Sequence, residues 1–215
     1  MAAPKVTIID YGVGNLLSVQ RGLERCGADV ILASDPETIF SSDRLVLPGV
    51  GAFPKAVEAL NRLRLIPIIQ EFAQLDKPLL AICLGMQLLM DQSEEFGDTP
   101  GLGIIPGSVV LVPTKSIDGN AQKIPHIGWS ELRLAESRNN WDGTVLADNQ
   151  VQDSVYFVHS FMAMPSDQAH RVADVVYGGH RISAVVSRNA ITGCQFHPEK
   201  SGDIGLRILR NFVSQ

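Results

Sequence analysis

Three residues in this chain have the types and spacing for nucleophilic chemistry. Cys83 stands in "LLAICLGMQLLMDQ" (79–92), where an apolar strand stops at the thiol and a helix restarts behind it. His197 and Glu199 stand together in "ITGCQFHPEK" (191–200). The run Ala81-x-Cys83-x-Gly85 has the layout of a strand–turn–helix elbow, in which a tight turn lifts one side chain over the sheet. That places the sulfur at the carboxyl end of a parallel strand, where open α/β sheets bind ligands. A helix N-terminus behind it favours thiolate over thiol, and the Leu84 amide is positioned to donate to an oxyanion. By itself the pattern reads more readily as a buried structural cysteine, because free cysteine is among the most buried residue types.

A nucleophilic thiol needs a base, and the base needs an orienting group. Five histidines are available. His170 and His180 flank polar or loop stretches and read as surface residues. His126 in "IPHIGW" and His159 in "YFVHSF" sit in apolar settings that suit hydrogen-bonded histidines of a core or rim. His197 differs, because it ends the strand "ITGCQF" and Pro198 cuts that strand short. In extended backbone, residues i and i+2 face the same way. Glu199 can therefore lie beside His197 and hold its imidazole in one tautomer, as the third member of a triad does.

Two glycine-containing stretches follow strands. "LPGVGAF" (47–53) places Gly49 and Gly51 around Val50, a flexible backbone whose amides could face the same pocket; an ordinary βα loop reads the same way. "DYGVGN" (10–15) approaches a dinucleotide fingerprint but has Leu17 where the third glycine belongs and no suitable acid after the second strand. It reads as a turn.

The elements that must carry these residues alternate. "KVTIID", "ADVILA", "RLVLPG" and "PLLAI" are strands. Helical spacing runs through "LLSVQRGLERCG" and through "AVEALNRLRLIPIIQEFAQ", the latter interrupted by Pro67. Continuous apolar strands between helices indicate a parallel sheet covered on both faces. From about Gly107 the pattern changes to "SVVLV", "SVYFVHSF", "HRVADVVY", "ISAVVSR" and "AITGCQF", read as an antiparallel β-rich extension rejoining the sheet before a last helix, "GDIGLRILRNFV". With no repeat and no linker, residues 1–215 are expected to form one α/β domain.

Composition excludes several classes. Net charge is −5 with no Lys/Arg cluster, which does not suit a nucleic-acid surface. No run of 18 apolar residues suits a membrane span, and the start is too short and polar for a signal peptide. Three cysteines, far apart and without CxxC or HExxH, do not suit a disulfide framework or structural zinc. A cytoplasmic protein with reduced thiols and no metal is expected.

Taken in order, "PGVG", "CLGMQLL" and "GCQFHPEKSG" resemble the class I (triad) glutamine amidotransferases. "DYGVGN", "GLGIIPG" (101–107), "IPHIGW" (124–129) and "YFVHSF" (156–161) carry the likeness from about residue 6 to 213, and resemble the glutaminase subunits of imidazole glycerol phosphate synthases. Anthranilate-type glutaminases would show PGPG, and pyridoxal phosphate-synthase ones PGGES. The resemblance implies a flavodoxin-like fold that hydrolyses L-glutamine without a cofactor. Cys83 would attack the side-chain amide, His197 act as base and then acid, and Glu199 orient His197. Leu84 and, in an active conformation, Val50 would supply oxyanion amides. Gly51, Gln87, Ser160 and Phe161 match positions that hold glutamine. Asn15, Trp129, Tyr156 and Lys200 match an interface with a (β/α)8-barrel cyclase, the implied partner in a heterodimer of histidine biosynthesis. One departure is Ser130, where the family commonly has asparagine. A relative serving another acceptor, such as a nucleotide sugar, a catalytically silent docking subunit and a partner-independent thiol hydrolase are the competing readings.

Overall fold

Period-two alternation in the apolar strands decides the layering, because successive side chains go to opposite faces. The computed structural model describes residues 3–215. β1 (Lys5–Ile9), β2 (Asp29–Ala33), β3 (Leu45–Gly49) and β4 (Leu79–Cys83) pair in parallel. Val46, Leu80 and Ile82 face a core shared with α1 (Leu16–Arg25). Leu45, Leu47, Leu79 and Ala81 face the opposite core. That side is covered by α2 (Pro36–Ser41), α3 (Phe53–Arg62), α4 (Leu65–Phe72) and α5 (Leu84–Leu88). Burial on both faces is why these strands carry no polar alternation.

Three details of this half differ from expectation. The break in the long helical pattern falls at Leu63–Arg64, where Arg64 takes a left-handed φ of 56°. Pro67 lies in the first turn of α4, where its missing N–H has no intrahelical partner to lose. α2 was not expected; Asp35 caps it through the Thr38 amide at 2.8 Å. The helix behind Cys83 spans only Leu84–Leu88, so its contribution at the sulfur comes from its first amides and not from a long dipole.

The second half departs further. β5 (Gln92–Ser93), β6 (Thr99–Pro100), β7 (Gly107–Leu111) and β11 (Phe161–Pro165) form a separate four-stranded sheet, ordered β11-β7-β5-β6. β8 (His126–Glu131) and β10 (Ser154–His159) form a two-stranded one. The run "SVYFVHSF", read as one strand, thus divides at Ser160 and serves two sheets. Only β9 (Arg133–Leu134), β12 (Arg171–Tyr177), β13 (His180–Arg188) and β14 (Ile191–Cys194) rejoin the main sheet. Its order is β2-β1-β3-β4-β14-β13-β12-β9. The first five are parallel and follow the flavodoxin-like order, while β13, β12 and β9 are added by successive antiparallel pairings. α6 (Gly202–Ser214) returns to the α1 face through Ile208, Leu209 and Phe212. Register aligns Gly49 with Cys83 and Ile82 with Cys194, so the carboxyl ends of β3, β4 and β14 meet at one edge.

Candidate active site

Cys83 sits at that edge with φ 56° and ψ −109°, a region that costs a non-glycine residue on the order of 1–3 kcal/mol. Packing holds it there. A Cβ on Gly85 would collide with the Leu47 carbonyl, so only glycine lets α5 start this close to β3. This is the backbone signature of a nucleophile elbow. The turn reading of "DYGVGN" holds as well: the Asp10 carboxylate accepts from the Gly12 amide at 3.1 Å. Tyr11 then braces β3 by donating to the Pro48 carbonyl at 2.7 Å.

His197 reaches the same edge after β14. Its ring Nδ1 lies 2.8 Å from Glu199 Oε1, and both side chains are almost fully buried. The route differs from the extended i, i+2 geometry, since Pro198–Lys200 form a 3₁₀ turn that folds Glu199 back under the ring. The His197 amide donates to the Tyr156 carbonyl at 3.0 Å, and Ser201 Oγ donates to the His197 carbonyl at 2.7 Å. The backbone that carries the ring is thus anchored to β10. Its Nε2 is buried without an oxygen or nitrogen partner. Burial pulls the imidazole pKa down, but the Cys83 sulfur and the Glu199 carboxylate outweigh it and push the pKa up to about 9. The other thiols do not meet this setting. Cys194 is wholly buried, and Cys26 donates to the Leu206 carbonyl at 3.4 Å.

Cys83 and His197 open on a cavity of about 280 Å³, the small end of the range for ligand pockets. Val50, Gly51, Leu84, Gln87, Ser160 and Phe161 all line it. Gly51 has φ 93°, which gives the loop after β3 its turn. The Ser160 corner, where the chain changes sheets, forms the far wall. Glu95 also lines the cavity and was not foreseen; its Oε2 accepts from the Phe53 amide at 2.7 Å.

Next to this wall lie two more buried histidines. Phe161 O can only accept, so His159 Nδ1–H donates to it at 2.9 Å. His159 Nε2 then accepts from His126 Nδ1–H at 3.0 Å, and His126 Nε2 from the Ser130 hydroxyl at 2.9 Å. One carbonyl fixes both tautomers. Burial brings each ring's pKa down to about 4. Ser130 therefore points into the molecule. His170 and His180 are half-buried, the latter bonded to the Lys115 carbonyl at 2.8 Å.

Trp129 and Tyr156 face each other across β8 and β10, rings edge to face at 6.1 Å. Trp129 is 58% exposed. Asn15 and Lys200 are exposed too; Lys200 adjoins Glu199, and Asn15 borders a crevice with Val50, His197 and Glu199. No helix among the described residues is long and apolar enough to cross a membrane.

A strained cysteine at a parallel strand end, opposite a carboxylate-backed histidine above a small cavity, has the geometry that thiol-dependent acyl transfer needs. The glutamine amidotransferase class I model matches residues 7–215. The chain is 53% identical to subunit HisH 1 of imidazole glycerol phosphate synthase from Legionella pneumophila, over 97% of this chain and 98% of that one. It is 44% identical to the HisH subunit from Lactococcus lactis, over 98% of both. Among solved structures, PurLQS from Thermotoga maritima superposes with a TM-score of 0.73 at 17% identity, covering 99% of this chain and 98% of that one. A structure described as glutamine amidotransferase gives 0.71 at 14%, covering 98% and 99%. These last two speak to the fold. The chain belongs to the class I glutamine amidotransferase family.

Proposed function

We propose that the chain is the glutaminase subunit of an imidazole glycerol phosphate synthase, a one-domain cytoplasmic protein that hydrolyses L-glutamine and passes ammonia to a (β/α)8-barrel cyclase. The observation that carries the chemistry is the His197–Glu199 pair at 2.8 Å beside the Cys83 elbow. The acceptor and partner follow from the full-length likeness to HisH subunits.

The substrate's α-ammonium needs an anion, and Glu95 supplies one in the cavity wall. Gly51, Gln87, Ser160 and Phe161 enclose the rest. Cys83 thiolate adds to the carboxamide carbon, and the Leu84 amide receives the oxyanion, joined by Val50 once the Gly49–Val50 peptide turns inward. His197, protonated at neutral pH by its raised proton affinity, hands its proton to the departing nitrogen. Ammonia leaves and a glutamyl thioester remains. Water, deprotonated by His197, attacks the thioester; glutamate departs and the thiolate is restored. Free ammonia in neutral water is largely protonated and unreactive, which is the chemical reason for a docked synthase. Asn15, Trp129, Tyr156 and Lys200 form the border that receives it.

The test is steady-state glutamate release by the chain alone, with the cyclase, and with the cyclase plus an acceptor analogue. The lone chain should be slow, and the loaded complex faster by roughly 10²-fold, the scale of one oxyanion donor. Equal rates in all three would point to a partner-independent hydrolase. Asn15→Ala and Lys200→Ala should lower that stimulation while leaving the fold intact.

A further inference from the structure

Gln195 is fully buried and has no part in the steps above, yet its side chain touches the nucleophile. Its Nε2 lies 3.8 Å from Cys83 Sγ. Its orientation is dictated from a distance. The Phe161 carbonyl accepts from Gln87 Nε2 at 2.9 Å, which fixes the Gln87 amide. The second hydrogen of that nitrogen meets Gln195 Oε1 at 3.1 Å. With its oxygen so engaged, Gln195 can present only its NH₂ to the sulfur. On another side of Sγ, at 4.0 Å, stands the Val158 carbonyl, an acceptor that suits S–H and repels S⁻.

We propose that Gln195 is a donor to the Cys83 thiolate, holding the charged sulfur away from Val158 in its attacking position, with Gln87 and the Phe161 carbonyl setting its direction. This rests on Cys83 being the nucleophile. The idea accounts for the buried Gln195 NH₂, whose side-chain partner is the sulfur, since an unpaired donor at this depth would be costly. It also gives Gln87 two duties, because the side chain that lines the glutamine cavity also aims the donor.

Two full-length variants test it, each assayed with the cyclase. Gln195→Met keeps the bulk and removes the donor. Gln195→Glu keeps the acceptor for Gln87 but, when ionised, sets like charge against the sulfur. The other titratable groups around Cys83 stay in place: His197 backed by Glu199, Tyr11 after β1, and His159 at the end of β10. The readout is the rate of Cys83 alkylation by iodoacetamide across pH, located by peptide mass spectrometry. Alkylation at pH 7 should fall roughly tenfold in Gln195→Met, the scale of one hydrogen bond to a charged group, and further in Gln195→Glu. The rate profile should move to higher pH, and kcat should fall more than KM rises. An alkylation profile like that of the unsubstituted protein in both variants overturns the proposal, whether or not activity is lost. Preferential labelling of Cys26 in the unsubstituted protein overturns the assignment of the nucleophile itself.

Discussion

Two buried histidine arrangements lie side by side in this molecule and behave in opposite ways. His197 has a carboxylate 2.8 Å behind its ring and binds protons tightly, to about pH 9. His126 and His159 have each other at 3.0 Å, between a serine and a backbone carbonyl, and stay neutral to about pH 4. Exposure does not separate them, at 3%, 2% and 5%. What surrounds the ring decides. The Cys83 sulfur and the Glu199 carboxylate raise the proton affinity of His197, as the proposed proton carrier requires, whereas the imidazole pair has no charged partner and makes a fixed strut for the cavity wall.

The largest test removes the carrier. His197→Asn and Cys83→Ala should each cut glutamate release in the cyclase complex by at least about 10³-fold, because members of such a unit fail together. Cys26→Ala and Cys194→Ala should keep most activity. Glu199→Gln comes next and converts one arrangement into the other. The ring loses its charged partner, and the expected loss is about 10²–10⁴-fold, bounded by the effect of neutralising a triad carboxylate elsewhere. In an NMR titration, the His197 midpoint should drop from about 9. A midpoint that stays put would mean the sulfur alone raises it.

His159→Gln breaks the strut. It should lower unfolding free energy by about 1–3 kcal/mol, the cost of leaving buried partners unpaired, and raise KM more than it lowers kcat. Ser130→Ala removes only the terminal donor and should cost about 1 kcal/mol in chemical denaturation. The last test is pH dependence. His126 and His159 are depressed below the unfolded value of 6.5, so their stabilisation is full above pH 6.5 and lost as pH falls toward 4. His197 is raised, so its stabilisation is full below pH 6.5 and lost as pH climbs through 9. Melting temperature should therefore decline on both sides of a maximum near pH 6.5. His159→Gln should flatten the acid limb and spare the alkaline one.

Some of this was legible in the sequence because it depends on local pattern. Strands β1, β3 and β4 are apolar runs, and Cys83 and His197 are reactive types at strand ends. The rest depends on neighbours far along the chain. Nothing within "SVYFVHSF" says that Val158 and Phe161 join different sheets, since both halves have the same strand propensity. Gln195 gains its role from a residue 112 positions away, and Glu95 is held by one 42 positions away. Arg64 has no glycine to announce its left-handed turn. α2 did have a signal, Asp35 followed by Pro36, but six residues are too few for a period.

The place of β14 in the sheet has a consequence for how the molecule comes into being. It slots between β4 and β13 at the centre, yet it is the last strand synthesised. A growing chain presents Cys83 early, while His197 and Glu199 are still to be made. On the proposed assignment the thiol has no base until the final strand closes the middle of the sheet, the most non-local step in assembly. On refolding, helix and early strand signals should return before glutamine turnover does. If the proposed triad holds, turnover reports a finished molecule, and an incomplete chain should waste no glutamine.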